Sequence, residues 1–230
     1  MQQTSINVQN QRLTLGFVVL LVGIAGALCP GTSLVGLTDP AVLQSSAGSE
    51  VAFDLYNDNL LIVKATVGNI RDVMMILDTG TNPTVISKKI VNRRKLLGTT
   101  ERLQTLAGSI QSRNVILPNV EVGVLHVDSI RVIAQDLNSV ERSLEISLGG
   151  IVGFDFLSTG RFTIDYQKKK IVFGPMPASE NVVPFVAMAT SLTVNAVIDG
   201  LQVRLLLGSG TSGLRVFRIR LGARPGQDRS

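Results

Sequence analysis

From Val51 onward the apolar residues of this chain come in short runs, each closed by Gly, Asn, Asp or Ser. That rhythm predicts strands rather than helices. Val51 to Leu55 is the first run. Leu60 to Val67 follows, then Gly68-Asn69, then Val73 to Leu77; two apolar runs joined by a Gly/Asn turn predict a β-hairpin. Thr84 to Ser87 reads as a further strand, and Lys88 to Leu97 as a helical turn or an irregular crossover. A longer hairpin spans 104–117, with Ala107-Gly108-Ser109 at its tip. Val120 to Val124 and Ile130 to Ala134 are two more strands, and Asn138 or Ser139 caps a short helix running to Leu144. After Gly149 to Leu157, a last hairpin pairs Phe162–Tyr166 with Ile171–Gly174 across the solvated turn Lys168-Lys169-Lys170.

Beyond a linker at 175–182 the text repeats itself. Leu192 to Leu207 again gives strand, turn at Asp199-Gly200, and strand, then Gly208-Ser209-Gly210-Thr211. At an offset of 130, Val73 falls on Val203, Met75 on Leu205, Ile76 on Leu206 and Leu77 on Leu207. Thr79 falls on Ser209, Gly80 on Gly210 and Thr81 on Thr211, while Asp78 falls on Gly208. An internal duplication of this kind predicts two copies of one structural unit. The second copy leaves no room for the hairpin and the Ile-Val-Gly stretch that follow the turn in the first.

The first residues are patterned differently. Leu13 to Leu28 is apolar apart from Thr14, follows Arg12, and carries the small residues Ala25-Gly26-Ala27. Sixteen helical residues reach about 24 Å, short of a hydrocarbon core of about 30 Å. The segment reads as an export signal, with an uncleaved membrane anchor through 13–28 as its rival and a buried core helix as the plain alternative. The expected location is exported, periplasmic or secreted, or else membrane-anchored. Leu28 before Cys29 disfavours lipid attachment, and one cysteine forms no intramolecular disulfide.

Composition narrows the chemistry. Of 230 residues 45% are hydrophobic and 17% charged, enough for a packed core and unlike a disordered chain. The net charge of +5 comes largely from Arg215, Arg218, Arg220, Arg224 and Arg229, opposed in that tail only by Asp228. The rest is near neutral and has no basic platform interleaved with aromatics, which argues against a nucleic-acid partner. A single histidine, His126, in an alternating stretch, supplies neither a zinc site nor a Ser-His-Asp triad, and is expected as a half-buried strand residue. No Walker loop or dinucleotide fingerprint occurs, so no metal and no cofactor is expected.

The stretch that carries chemistry is Leu77-Asp78-Thr79-Gly80-Thr81, at the end of an apolar strand. Asp78 supplies an acid or base, Thr79 a hydroxyl, and Gly80 a backbone that another chain segment can approach closely. A plain alternative is a turn carboxylate that caps neighbouring amides. Together with Thr84-Val85-Ile86-Ser87, the hairpin tipped near Gly108, and Gly150-Ile151-Val152-Gly153-Phe154-Asp155-Phe156-Leu157 followed by Ile164-Asp165-Tyr166, it resembles the retropepsin-like aspartic peptidases. The two-copy arrangement resembles exported bacterial members of that family.

The resemblance implies an all-β fold: an acid-protease barrel with a flap hairpin and a short helix, plus a truncated second repeat. It implies cofactor-free hydrolysis of a peptide or protein substrate by a water held between two carboxylates that share one proton. Asp78, Thr79 and Gly80 are then the catalytic turn, with Thr79 bracing the partner turn through its hydroxyl. Ala107, Gly108 and Ser109 are the flap that covers substrate. Gly208, Ser209 and Gly210 are a degenerate second site, while Asp155 and Asp165 are structural. The expected organisation is 1–29 signal or anchor, 30–50 linker, 51–174 peptidase domain, 175–182 linker, 183–214 incomplete second repeat and 215–230 basic tail.

Three readings follow. An aspartic endopeptidase restores its dyad with Asp78 from a second copy, as a homodimer. A catalytically impaired relative instead binds peptides, or persists as a remnant. In the third, the Arg- and Gly-rich tail reflects a shifted frame or a truncated product.

Overall fold

The computed structural model describes residues 49–105, 108–175, 183–188, 191–198 and 200–210. The apolar segment 13–28 and the basic tail lie outside them. Among the described residues no helix is long and apolar enough to cross a membrane.

The fold is all-β. The first apolar run is two strands, not one: β1 (Ser49–Ala52) and β2 (Asp54–Tyr56) part at Phe53, which is buried in the core. The hairpin that follows is β3 (Leu60–Val67) and β4 (Ile70–Leu77) around Gly68, whose φ of +59° suits glycine. Next come β5 (Val85–Ser87), the helical turn α1 (Lys88–Arg93), and the long hairpin β6 (Gly98–Thr105) and β7 (Gly108–Val122). β7 absorbs the strand expected to begin separately at Val120. The remaining elements of the first copy are β8 (Leu125–Gln135), α2 (Asn138–Leu144), β9 (Gly150–Val152), α3 (Phe154–Leu157), β10 (Phe162–Asp165) and β11 (Lys170–Phe173).

Eight strands form one sheet in the order β2-β3-β4-β9-β5-β8-β7-β6, and β3 also pairs with β7, so the sheet folds back on itself. β9 is the insertion that matters for the site. It runs parallel to β4 and antiparallel to β5. Only glycine lets it wedge there, because a Cβ on Gly150 would lie 2.2 Å from the Val85 carbonyl oxygen and 2.6 Å from Met75 Cε. The β1-β11-β10 sheet packs beside this one, with Ile171 and Phe173 in the shared core.

Both faces of β3 and β4 are covered, which is why their sequences read as continuous apolar runs rather than alternating ones. Leu61, Val63, Met75 and Leu77 enter a core with Ile86, Leu117, Val132 and Phe156. Leu60, Ile62 and Ile76 face a second cluster with Val85, Leu137, Leu144 and Leu148. Each fully buried side chain of this size contributes about 1.5–3 kcal/mol by leaving water.

α2 is not capped by its own Asn138 or Ser139. Its first residue, Asn138, donates its backbone N–H to the Asp136 carboxylate (2.9 Å). Glu141, buried on this helix, accepts the Leu148 N–H (2.9 Å) and pairs with Lys89 of α1, tying both helices to the entry of β9. The Lys89 bond, helped by the Leu148 amide, outweighs burial and holds the Glu141 carboxyl below its ordinary range. The stability it adds is therefore present above the unfolded value, about 4.3, and is lost as pH falls through the lowered folded one. Glu141→Gln is expected to cost about 1–3 kcal/mol in urea unfolding at neutral pH. A gap to wild type that stays constant down to about pH 3 would rule out this linkage.

His126 is exposed rather than half-buried. It sits near the β7–β8 turn, where its side chain projects to solvent between Glu121 (3.0 Å) and Asp128 (2.8 Å). The Asp128 bond first, and then the charges of Asp128 and the bond to Glu121, raise its pKa above 6.5 against partial desolvation. An NMR titration should give a midpoint above that value. Asp128→Asn should bring it down.

The second copy is a three-stranded sheet, β12-β13-β14: β12 (Val186–Met188), β13 (Ser191–Ile198) and β14 (Leu201–Leu206). β13 and β14 form the hairpin expected from the repeat, with Gly200 at φ +77° in its turn.

Candidate active site

β4 ends at Leu77 and delivers Asp78 to a turn that β9 and α3 support from below. Asp78 N–H donates to the Val152 carbonyl (2.9 Å), and Phe154 N–H donates to the Thr81 carbonyl (2.7 Å). Thr84 completes the base. Its N–H (2.9 Å) and hydroxyl (2.7 Å) both donate to Asp155 Oδ1, and its hydroxyl accepts from Gly153 N–H (3.0 Å). Asp155 is thus consumed in bracing the turn. Asp165 is likewise structural, accepting the Lys168 N–H (2.9 Å) in the β10–β11 turn.

Asp78 itself is 4% exposed. Its Oδ1 accepts from Gly80 N–H (2.8 Å) and Gly210 N–H (3.0 Å), and its Oδ2 from the Thr81 hydroxyl (2.7 Å). Three donors fix the plane of the carboxyl group. Thr81 was not singled out in the sequence. A hydroxyl three residues after a turn aspartate is a local pattern that points to it.

The turn of the second copy docks onto this one. The Thr79 hydroxyl donates to the Leu207 carbonyl (2.9 Å) and accepts from Ser209 N–H (3.1 Å). Reciprocally, the Ser209 hydroxyl donates to the Leu77 carbonyl (2.9 Å) and accepts from Thr79 N–H (3.1 Å). The two turns therefore meet as near-symmetric equivalents, 130 residues apart. They approach closely enough that a Cβ on Gly80 would stand 3.0 Å from Gly208 Cα.

The counterpart of Asp78 in the second copy is Gly208, where an added Cβ would lie 3.4 Å from Asp78 Oδ1. Among the described residues no hydrogen bond joins Asp78 to another carboxyl group. No group of three His, Cys, Asp or Glu residues suited to a metal ion occurs among them either.

Comparison with known proteins fits this geometry. A family model described as aspartyl protease matches residues 63–156, from β3 through the Asp-Thr-Gly turn to α3. That match covers less than half of the chain. A crystal structure of a retropepsin-like aspartic protease from Rickettsia conorii is similar to this chain at 19% identity, with a TM-score of 0.39, over 54% of this chain and 87% of that one. No curated protein matches the sequence.

The β6–β7 hairpin carries the residues expected from the sequence to cover substrate. Gly108 and Ser109 open β7 opposite Thr105 and Gln104, and Ala107 lies outside the described residues. The charge of Asp78 also reaches Tyr166. Partial burial first, and then that negative charge, push the Tyr166 phenol above its ordinary value. Tyr166 stacks edge-on against Phe53 at 6.1 Å between ring centres.

Proposed function

We propose that this chain is a single-chain, two-repeat aspartic-protease-type protein with one carboxylate, which binds extended peptides over Asp78 beneath the β6–β7 hairpin and hydrolyses them very slowly. The observation that carries the reading is Gly208 opposite Asp78. Hydrolysis by this fold needs one group to take a proton from water while another gives one to the scissile carbonyl oxygen. A lone carboxyl cannot be acid and base in the same step. Thr79 and Ser209 fasten the two turns, and Gly80 and Gly210 let them approach.

The homodimer reading needs the groups of the Asp78 turn for a second copy. Supporting the single-chain reading instead, those groups are engaged by Leu207, Ser209 and Gly210 of the same chain. Export or anchoring through 13–28 stays part of the proposal, and the mass of the mature chain tests it.

Wild-type protein titrated with a fluorescent peptide library should show saturable binding and little cleavage between about pH 3 and 7, where paired carboxylates work. Rapid cleavage by a monomeric wild-type chain in chloride buffer would overturn the reading.

A further inference from the structure

Gly208 is not required by its own backbone. Its φ lies outside the left-handed range, and the nearest atoms to a Cβ built there are Asp78 Oδ1 at 3.4 Å, Gly80 Cα at 3.5 Å and Gly80 N at 3.8 Å, all ordinary contacts. Gly210, two residues on, contrasts with it: a Cβ there would lie 2.5 Å from Asp78 Cγ. One glycine is dictated by packing. The other leaves a notch beside the Asp78 carboxyl group.

Building on the one-carboxylate reading above, we propose that this notch binds one carboxylic acid group brought by a ligand, which completes the pair with Asp78. The chemistry of the notch selects an acid. No lysine or arginine forms an ion pair with Asp78 among the described residues, so a second carboxylate enters only with a proton to share between the two groups. A donor for it is at hand: Gly210 N–H, which now donates to Asp78 Oδ1, sits on the turn beside the notch. Binding takes up one proton, so it strengthens as pH falls through the carboxyl range.

An acid held there supplies the missing half of the reaction. Ionised Asp78 takes a proton from water as the water oxygen bonds to the peptide carbonyl carbon. The bound acid gives its proton to the carbonyl oxygen. The C–N bond then breaks, the departing nitrogen takes the proton back from Asp78, and the carbonyl oxygen returns its own to the acid. The sum is one water added across one peptide bond.

The acid has two sources, a free small acid or a side chain or terminus of the peptide itself, and two arms separate them. In the first, full-length protein cleaves a neutral peptide library at about pH 4.5 in formate or in chloride of equal ionic strength. A saturable gain of about 10-fold or more in formate is expected, of the size general acid catalysis provides. In the second, peptides with Glu are compared in affinity with their Gln counterparts, and the Glu series should bind more tightly at low pH. Gly208→Ala places a methyl group in the notch at van der Waals distance and should abolish both effects.

A response in either arm that is lost in Gly208→Ala supports the site and names its source. Equal behaviour in formate and chloride together with equal Glu and Gln affinities, or responses that survive Gly208→Ala, would overturn it. If Gly208→Asp is active while both arms are flat, the notch proposal fails and the one-carboxylate reading stands. If Gly208→Asp is inert as well, that reading fails too.

Discussion

Gly208→Asp is expected to raise kcat/KM for peptide cleavage by about 100- to 10,000-fold, the range a positioned general acid contributes. The backbone at 208 accepts an L side chain without a left-handed φ, and the new Cβ stands 3.4 Å from Asp78 Oδ1. From there a carboxyl group reaches Asp78. Ser209 and Gly210, which follow the new aspartate as Thr79 and Gly80 follow Asp78, are already in place. The pair then titrates as a unit. Activity should follow a bell-shaped profile on the acid side of neutrality, because it needs one proton on two carboxyls.

The variant carries a signature that does not depend on turnover. Two carboxylates this close raise the folded-state pKa of the pair for its first proton above the unfolded value. Stability relative to wild type is then greatest below the unfolded value and falls as pH rises through the raised one. The loss is about 1.4 kcal/mol for every tenfold by which folding strengthens proton binding to the pair. Urea unfolding at about pH 4 and pH 7 reads this directly. If the pH-dependent loss appears and cleavage does not, the pair has formed and the missing carboxylate is not the deficit.

Much of this site is legible in the text because its information is local or repeated. Strand β4 and the turn Asp78 to Thr81 form one continuous segment. The offset of 130 marks Gly208 as the counterpart of Asp78 and keeps a hydroxyl at Ser209. The same offset separates the residues of the reciprocal bonds between Thr79 and Ser209. What the sequence hides depends on distant pairing. Thr84 reads as an ordinary strand residue until Asp155, 71 positions away, folds beneath it. The break at Phe53 follows from β1 joining β11 while β2 joins β3, a choice of partner that no run of apolar residues encodes. His126 lies in an alternating stretch, yet the turn beside it projects that stretch into solvent, where two carboxylates meet its ring. The pairing of β3 with β7 likewise rests on a register set across more than fifty residues.

The second large effect concerns the bond set that fastens the two turns. Thr79→Val removes a donor to the Leu207 carbonyl and an acceptor for Ser209 N–H, at a cost of about 1–3 kcal/mol, while Thr79→Ser keeps both. Hydrogen exchange at the Ser209 and Gly210 amides should quicken by about 5- to 150-fold in the valine variant, at about 1.4 kcal/mol per tenfold, and recover in the serine variant. Ser209→Ala removes the opposite pair of bonds, to Leu77 and Thr79. Because both substitutions act by releasing one segment, their effects should be sub-additive, the double variant resembling either single one. Full additivity would mean that 207–210 does not detach as a unit. Ser209→Ala also separates the two assembly readings, since it loosens the intramolecular turn and leaves the Asp78 turn intact for a second copy. A chain built to dimerise through Asp78 should then associate with rising concentration in sedimentation. A single-chain protein should stay monomeric, its Asp78 turn still contacted only by its own second repeat.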